Sequence, residues 1–126
     1  MYEVSLTKSY FAAQEAPGPD PITIGAMLRA SAAKYPENPA LVEVGIDGSL
    51  AWRWTYAALL EAVERLAGAL AARHGAGARV AVYANNIPEW ILLELACAEA
   101  DIILVTVNPA SQERELEFAL TQSRSE

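Results

Sequence analysis

Two short apolar runs, separated by an apolar segment with a helical pattern, constrain the fold of this chain most strongly. Residues 79–84 read RVAVYA and residues 102–107 read IILVTV, with little alternation of apolar and polar side chains. Such a run is typical of a strand that is covered on both faces, as in a parallel sheet. Between the two runs, Pro88 suits the first turn of a helix over about 88–100 with almost no polar face. A helix of this kind needs cover on several sides.

A further helix is predicted from about Ser111 to Gln122, with Glu113 and Glu115 near its positive end. The order strand, helix, strand, helix is typical of a parallel, doubly wound sheet with right-handed crossovers. We therefore predict an α/β fold that contains a partial doubly wound parallel sheet (βαβα). The sequence ends where we expect the next strand to begin.

A helix and a β-hairpin are predicted before this unit. Thr23 stands before a segment with helical spacing over about 24–35. Two runs of strand character, 41–46 and 50–54, lie on either side of the turn sequence Asp47-Gly48. The sequence therefore predicts two antiparallel strands after the first helix.

The longest predicted helix follows the hairpin directly. Thr55 can cap it, and it extends to about His74, where a cation is favourable at the carboxyl end of a helix. Glu61 and Arg65 form an i,i+4 pair on one face. The apolar face of the helix comprises Leu59, Val63, Leu66 and Leu70.

The composition excludes several classes of protein. Hydrophobic residues make up 53% and charged residues 20% of the chain, slightly more apolar than an ordinary soluble domain, which hints at partner surface. The net charge of −7 and the absence of a Lys or Arg cluster exclude a nucleic-acid footprint. The longest apolar run has six residues, far below the roughly 20 that a membrane span needs.

The domain organisation that we predict is simple. Residues 1–21 show no sustained periodicity and end in APGPDP, so we expect a flexible amino-terminal arm. We expect residues 22–126 to form a single unit. The first residues lack a basic start followed by an apolar run, so no signal peptide is predicted and we expect a cytoplasmic location.

The residues that usually carry catalysis are sparse. Cys97 is the single cysteine and His74 the single histidine, so the sequence offers no disulfide, His-based metal site or Ser-His-Asp triad. We interpret Cys97 as a small core residue of the buried helix. We predict no catalytic residue and no metal ligand in this chain.

One weak candidate for a binding site comes from topology. Ligands of open parallel sheets gather beyond the carboxyl ends of the strands, where Asn85, Asn86 and Asn108 are expected. Asparagine also suits strand exits because its side chain bonds to its own backbone in turns. Both interpretations, ligand contact and turn formation, remain open from the sequence.

Three stretches resemble one known family. WTYAAL at 54–59, the long segment GARVAVYANNIPEWILLELACAEADIILVTVNP at 77–109 and ERELEFALTQS at 113–123 are similar to motifs near the start of the adenylate-forming superfamily. VTVNP together with Asn-Ile-Pro-Glu-Trp looks more like the fatty-acyl and medium-chain acyl-CoA synthetases than the peptide-synthetase branch. One departure is Asp101, where the family usually has glycine at a left-handed helix end.

The resemblance implies that residues 22–126 are the truncated amino-terminal subdomain of an ATP-dependent acyl-CoA synthetase. Such enzymes use ATP, Mg²⁺ and coenzyme A to make an acyl-adenylate and then a thioester. The family's phosphate loop, ribose-binding aspartate and catalytic lysine have no counterpart in this sequence. We therefore expect this chain by itself to bind none of these cofactors and to be inactive. Its expected partner is the remainder of the adenylate-forming domain, or a second copy through exposed apolar surface. The alternative is a non-catalytic α/β interaction or regulatory module derived from the family.

Overall fold

The computed structural model of the chain describes residues 18 and 20–125. Within these residues, helices and strands follow one another in the predicted order. The elements are α1 (Ile24–Lys34), β1 (Pro39–Val44), β2 (Leu50–Thr55), α2 (Tyr56–Arg73), β3 (Arg79–Tyr83), α3 (Pro88–Glu99), β4 (Ile103–Val107) and α4 (Glu113–Ser123). Every predicted element is confirmed, with ends that differ by at most a few residues. The predicted arm, 1–21, lies outside the described residues except for residues 18, 20 and 21.

Two separate two-stranded sheets form from these strands. β1 pairs with β2 in antiparallel orientation, and β3 pairs with β4 in parallel orientation, as predicted. The parallel register runs without a shift from Arg79 opposite Ile103 to Tyr83 opposite Val107. The carboxyl ends of β3 and β4 therefore lie side by side.

The turn of the hairpin is longer than the dipeptide that predicts it. The amide of Gly45 donates a 2.7 Å hydrogen bond to the carbonyl of Ser49, and Gly48 has a φ of 79°. The Asp47 carboxylate accepts hydrogen bonds from both the amide and the hydroxyl of Ser49, at 3.0 and 2.6 Å. Glycine at position 48 is needed because side chains disfavour that left-handed backbone.

Threonine residues define where the first two helices begin. The Thr23 hydroxyl accepts a hydrogen bond from the amide of Ala26, and that of Thr55 accepts one from Ala58, both at 3.2 Å. Each hydroxyl satisfies an amide that the helix itself leaves without a partner. The predicted cap at Thr55 is therefore confirmed. The predicted pair between Glu61 and Arg65 also forms, at 3.2 Å.

The main core lies where α1, α2 and α3 pack against one another. Its buried members are Leu28, Leu59, Val63, Ala67 and Ala96. The hairpin strands pack against α2, while β4 packs against α3. The apolar helix α3 thus has neighbours on several sides, as its sequence predicts.

The sheet of β3 and β4 is covered less completely than the two apolar runs predict. Val82 and Val107 are buried, but Tyr83 and Ile103 are each 47% exposed. Within the described residues, α3 packs against this sheet, whereas α4 contacts β4 and has no buried residue. The expected cover on both faces is therefore incomplete in this part of the chain.

Asp101 provides the left-handed turn after α3. Its φ is 56°, and the amide of Ile102 donates a 2.8 Å hydrogen bond back to the carbonyl of Cys97. This pattern ends a helix in the way that glycine usually permits. The Asp101 carbonyl also accepts a 2.7 Å hydrogen bond from Gly77, which fixes the loop before β3 beside the loop before β4.

Candidate functional site

The residues that follow β3 and β4 line one open depression. Because Tyr83 lies opposite Val107, the two chain segments leave the sheet at the same level. The depression has a volume of about 610 Å³. Its lining includes Asn85, Asn86, Trp90, Thr106, Asn108 and Pro109. The structure thus brings together all three asparagines that the sequence suggests as a binding site.

Asn108 forms a tight turn with its own backbone. Its side-chain oxygen accepts a hydrogen bond from the amide of Ala110 at 3.0 Å, and its carbonyl accepts one from Ser111 at 2.9 Å. The turn-forming interpretation therefore applies to this residue. Asn108 also lines the depression, and its side-chain amide has two N–H groups as potential donors.

Asn85 and Asn86 differ from Asn108. Both are exposed, and their side chains make no hydrogen bond within the described part of the chain. The Asn85 carbonyl accepts a 2.9 Å hydrogen bond from the amide of Ile87, which shapes the turn into α3. Their amide groups are available to a ligand, and that role stays a prediction.

Tyr83 lies directly before the residues that line this site, although its sequence pattern does not single it out. Its hydroxyl lies 2.8 Å from the carbonyl oxygen of Pro109 and 3.0 Å from that of Ser111. The last side chain of β3 thus reaches the loop that follows β4. The only sequence signal is a tyrosine, with its polar hydroxyl, near the end of a predicted strand, and it does not indicate which residues the hydroxyl contacts.

The depression offers hydrogen bonds and an aromatic surface but no group that titrates near neutral pH. None of its lining residues is a carboxylate, histidine, cysteine, lysine or arginine. Such a surface can bind and orient a ligand through the asparagine amides, Thr106 and the ring of Trp90. It supplies no general acid, general base or nucleophile.

The groups that could act chemically lie elsewhere in the fold. Cys97 is 1% exposed, and burial raises the pKa of its thiol, which disfavours the reactive thiolate. His74 ends α2, and its amide donates to the carbonyl of Leu70. Glu99 pairs with Arg29. The interpretation of Cys97 as a core residue is confirmed by its burial.

The lining of the depression does not fit Mg²⁺ or the phosphates of ATP. In the described part of the chain, no group of three His, Cys, Asp or Glu side chains could hold a metal ion. The depression has no cationic side chain to face a phosphate. No helix in residues 18 and 20–125 has the length and apolar character needed to cross a bilayer.

The fold defines a class of protein before the sequence defines the family. The amino-terminal subdomain of Klebsiella oxytoca NpsA, solved with anthranilyl-AMSN, aligns with 82% of this chain and 26% of its own, at a TM-score of 0.72 and 23% identity. A fatty acyl CoA synthetase from Mycobacterium tuberculosis aligns with 82% of this chain and 20% of its own, at a TM-score of 0.73 and 31% identity. The fold is that of the amino-terminal subdomain of adenylate-forming enzymes.

Residues 28–126 match the model of a family described as AMP-binding enzyme, and the chain belongs to that family. The medium-chain acyl-CoA ligase ACSF2 of Danio rerio is 44% identical over 99 residues, which are 78% of this chain and 16% of the ligase. The human ligase of the same name is 41% identical over 99 residues, 15% of its length. A putative acyl-CoA synthetase of Bacillus subtilis, YngI, is 37% identical over 102 residues, 18% of its length. The chain thus spans about a sixth of the curated relatives that it matches.

Proposed function

We propose that this chain is the opening segment of an acyl-CoA synthetase. That enzyme would join a carboxylic acid to ATP as an acyl-adenylate and then transfer the acyl group to the thiol of coenzyme A. The observation that carries the proposal is the 44% identity to a medium-chain acyl-CoA ligase over 99 residues. The match covers 78% of this chain, so the likeness extends well beyond one motif.

The role of this segment in the reaction is to bind and support rather than to perform chemistry. The depression at the strand exits has no titratable lining residue, so proton transfer and phosphate binding must come from other parts of the enzyme. The asparagines and Trp90 are suited to form one wall of a substrate passage. The packed helices beneath them hold that wall in place.

We propose that the remainder of the adenylate-forming domain covers the apolar side chains that this chain exposes. Large examples are Val44, Ile46, Leu50, Ile103 and Phe118. They lie on three different elements, the hairpin, β4 and α4, as expected for a segment that is enclosed by a larger domain. A second copy is a poorer partner because each copy carries a charge of −7 and the two copies repel each other.

The same exposed side chains weigh against the alternative, a free-standing interaction or regulatory module. A module that works alone should have a polar exterior, apart from one docking surface. Here the exposed apolar side chains occur on separate elements. No specific observation favours the module over the synthetase segment.

An adenylation assay of the 126-residue chain tests the proposal that the chemistry comes from other parts of the enzyme. We expect ATP-pyrophosphate exchange with a medium-chain fatty acid to remain at background. Calorimetric titration with ATP and Mg²⁺, and separately with coenzyme A, should give no binding at millimolar ligand. Exchange above background would contradict the proposal that the chemistry lies outside this segment.

A chimaeric enzyme tests the proposed family activity. The 99 residues of this chain that match the Danio rerio ligase would replace their counterparts in that ligase, with acyl-CoA formation as the readout. We expect activity within about tenfold of the host, because the core and strand exits keep their packing. The control chimaera carries the corresponding segment of NpsA, which shares the fold at 23% identity. If the two chimaeras are equally impaired, the likeness to acyl-CoA ligases concerns the fold only and the proposal fails.

The cytoplasm remains our proposed location. The vertebrate ligases that match are named as mitochondrial proteins, so the two compartments are the alternatives to distinguish. A fluorescent fusion at the carboxyl end, followed by imaging or fractionation in the source cells, would separate them. Fluorescence confined to a membrane-bounded organelle would overturn the proposal.

A further inference from the structure

The Tyr83 hydroxyl connects two chain segments that are far apart in sequence. Its oxygen lies 2.8 Å from the Pro109 carbonyl and 3.0 Å from the Ser111 carbonyl. A phenol has one proton to donate, so the two carbonyl oxygens share it. The side chain thereby holds the loop that follows β4 against the end of β3.

Hydrogen bonds within the loop of residues 108–112 fix its conformation, but most of its residues are exposed and pack little against the rest of the chain. The Asn108 side chain and carbonyl bond to Ala110 and Ser111 within the loop. Gln112 and Glu115 form a capping box at the start of α4, in which the Gln112 amide donates to Glu115 at 2.8 Å. These bonds are all local. They fix the conformation of the loop, while the pairing of Val107 opposite Tyr83 fixes only where the loop begins.

The helix that follows supplies only part of that attachment. Within the described residues no side chain of α4 is fully buried, and the helix packs against β4. Leu116 and Leu120 are only partly buried, so the hydrophobic effect fixes the orientation of α4 weakly. The hydrogen bonds of Tyr83 therefore carry much of the attachment of this loop to the neighbouring strand.

We propose that Tyr83 is a positioning residue for the Asn108 side of the depression. Its hydroxyl holds the turn that the Asn108 side chain forms, and so sets the distance of that side chain from the two asparagines that follow β3. The importance of this distance for a substrate rests on the proposed function. The positioning itself is a property of this chain and is testable without any substrate.

The test is amide hydrogen exchange on the 126-residue chain and its Tyr83→Phe variant, followed by NMR. The variant keeps the ring and removes the hydroxyl. We expect the amides of Ala110 and Ser111 to exchange about fivefold faster, as loss of one hydrogen bond implies. The side-chain amide resonances of Asn108 should shift, while the amides of Val82 and Val105 should keep their exchange rates within twofold.

A matched control is Tyr35→Phe, which removes the hydroxyl of an exposed tyrosine at the end of α1. It should leave the loop amides and the Asn108 resonances unchanged. Two results would overturn the proposal. One is unchanged exchange at Ala110 and Ser111 in Tyr83→Phe. The other is equal acceleration throughout β3 and β4, which would make Tyr83 a general stabilising residue.

The chimaeric ligase separates this inference from the proposed function. If the chimaera is inactive but Tyr83→Phe loosens the loop as described, the positioning role holds and the synthetase proposal fails. If the chimaera is active, Tyr83→Phe within it should raise the KM of a substrate about fivefold with kcat within twofold. An active chimaera with unchanged KM values and unchanged loop exchange would overturn the positioning role alone.

Discussion

Glu99, in the last turn of α3, lies directly against Gly25 in the first turn of α1. A β-carbon on residue 25 would overlap the Glu99 carboxylate. The same carboxylate accepts a hydrogen bond from Arg29, one turn further along α1. Glycine thus allows the carboxylate to approach the helix closely enough to pair with Arg29. This contact joins two helices whose sequences are about seventy residues apart.

We predict that Gly25→Ala has opposite effects in two backgrounds. In the parent chain the new methyl group displaces Glu99 and disrupts its pair with Arg29, so the substitution should lower the midpoint of thermal unfolding. In a Glu99→Ala background the methyl group meets no carboxylate. Alanine should then stabilise α1 by about 0.5 kcal/mol through its higher helix propensity.

A double-mutant cycle measured by urea unfolding checks this prediction. Ala30→Gly, at an exposed position on the same helix, controls for propensity and should be destabilising in both backgrounds. Additive effects of Gly25→Ala and Glu99→Ala would show that the close approach has no energetic consequence.

Leu59→Ala should be among the most damaging single substitutions in the chain. Leu59 is 4% exposed and belongs to the core between α1, α2 and α3. Truncation removes buried apolar surface and leaves a cavity, for a cost of about 3 kcal/mol in the free energy of unfolding. Leu50→Ala is the matched control, because Leu50 is 70% exposed and should cost less than about 0.5 kcal/mol. Similar costs at both positions would contradict the described core.

Thr55→Ala should weaken the start of α2. The Thr55 hydroxyl accepts the amide hydrogen of Ala58 at 3.2 Å, and alanine cannot replace that acceptor. We expect a loss of about 1 kcal/mol in unfolding free energy by chemical denaturation. Thr55→Ser keeps the acceptor and should retain most of the stability. A serine variant as unstable as the alanine variant would show that the methyl group, not the cap, is responsible.

The carboxyl group of Asp47, in the hairpin turn, should titrate at unusually low pH. Two hydrogen bonds lower the pKa of Asp47 below its ordinary value of 3.8: the one from the Ser49 hydroxyl has the larger effect and the one from the Ser49 amide the smaller. The pKa of Asp47 is lower in the folded chain than in the unfolded chain, so the charged carboxylate stabilises the fold at pH values above 3.8. This stabilisation is lost as the pH falls through the pKa of the folded chain. NMR titration of the Asp47 carboxyl carbon measures the pKa directly.

Ser49→Ala provides the comparison for this titration. It removes the hydroxyl donor and keeps the backbone amide, so the pKa of Asp47 should rise toward its ordinary value without reaching it. An identical titration curve in the variant would mean that the hydroxyl does not stabilise the charged carboxylate.

Much of the fold could be predicted because its causes are local. Thr55 caps the start of α2 by accepting a hydrogen bond from Ala58, three residues along the chain. Asp101 adopts the left-handed conformation after α3, where Ile102 donates a hydrogen bond to Cys97, five residues back. The apolar runs at 79–84 and 102–107 predict parallel pairing, which forms between β3 and β4. Parallel pairing in turn brings Asn85 and Asn108 to the same edge of the sheet.

Other parts of the site could not be predicted because they depend on distances between separate elements. The sequence gives no reason for the Tyr83 hydroxyl to reach Pro109, which requires both the register of the strands and the path of the next loop. The exposure of Ile103 also could not be predicted from the sequence. An apolar run indicates which residues favour burial, but it does not indicate whether another element covers them.

The amino-acid sequence by itself determined the order of helices and strands, the parallel pair and the family, because periodicity, caps and motif spacing act over short stretches of chain. Only the tertiary structure decided which of these residues meet. It set Glu99 against Gly25, joined Tyr83 to the loop after β4, and left the depression without a titratable group. These contacts arise from the packing of whole elements, whose relative positions no local pattern encodes.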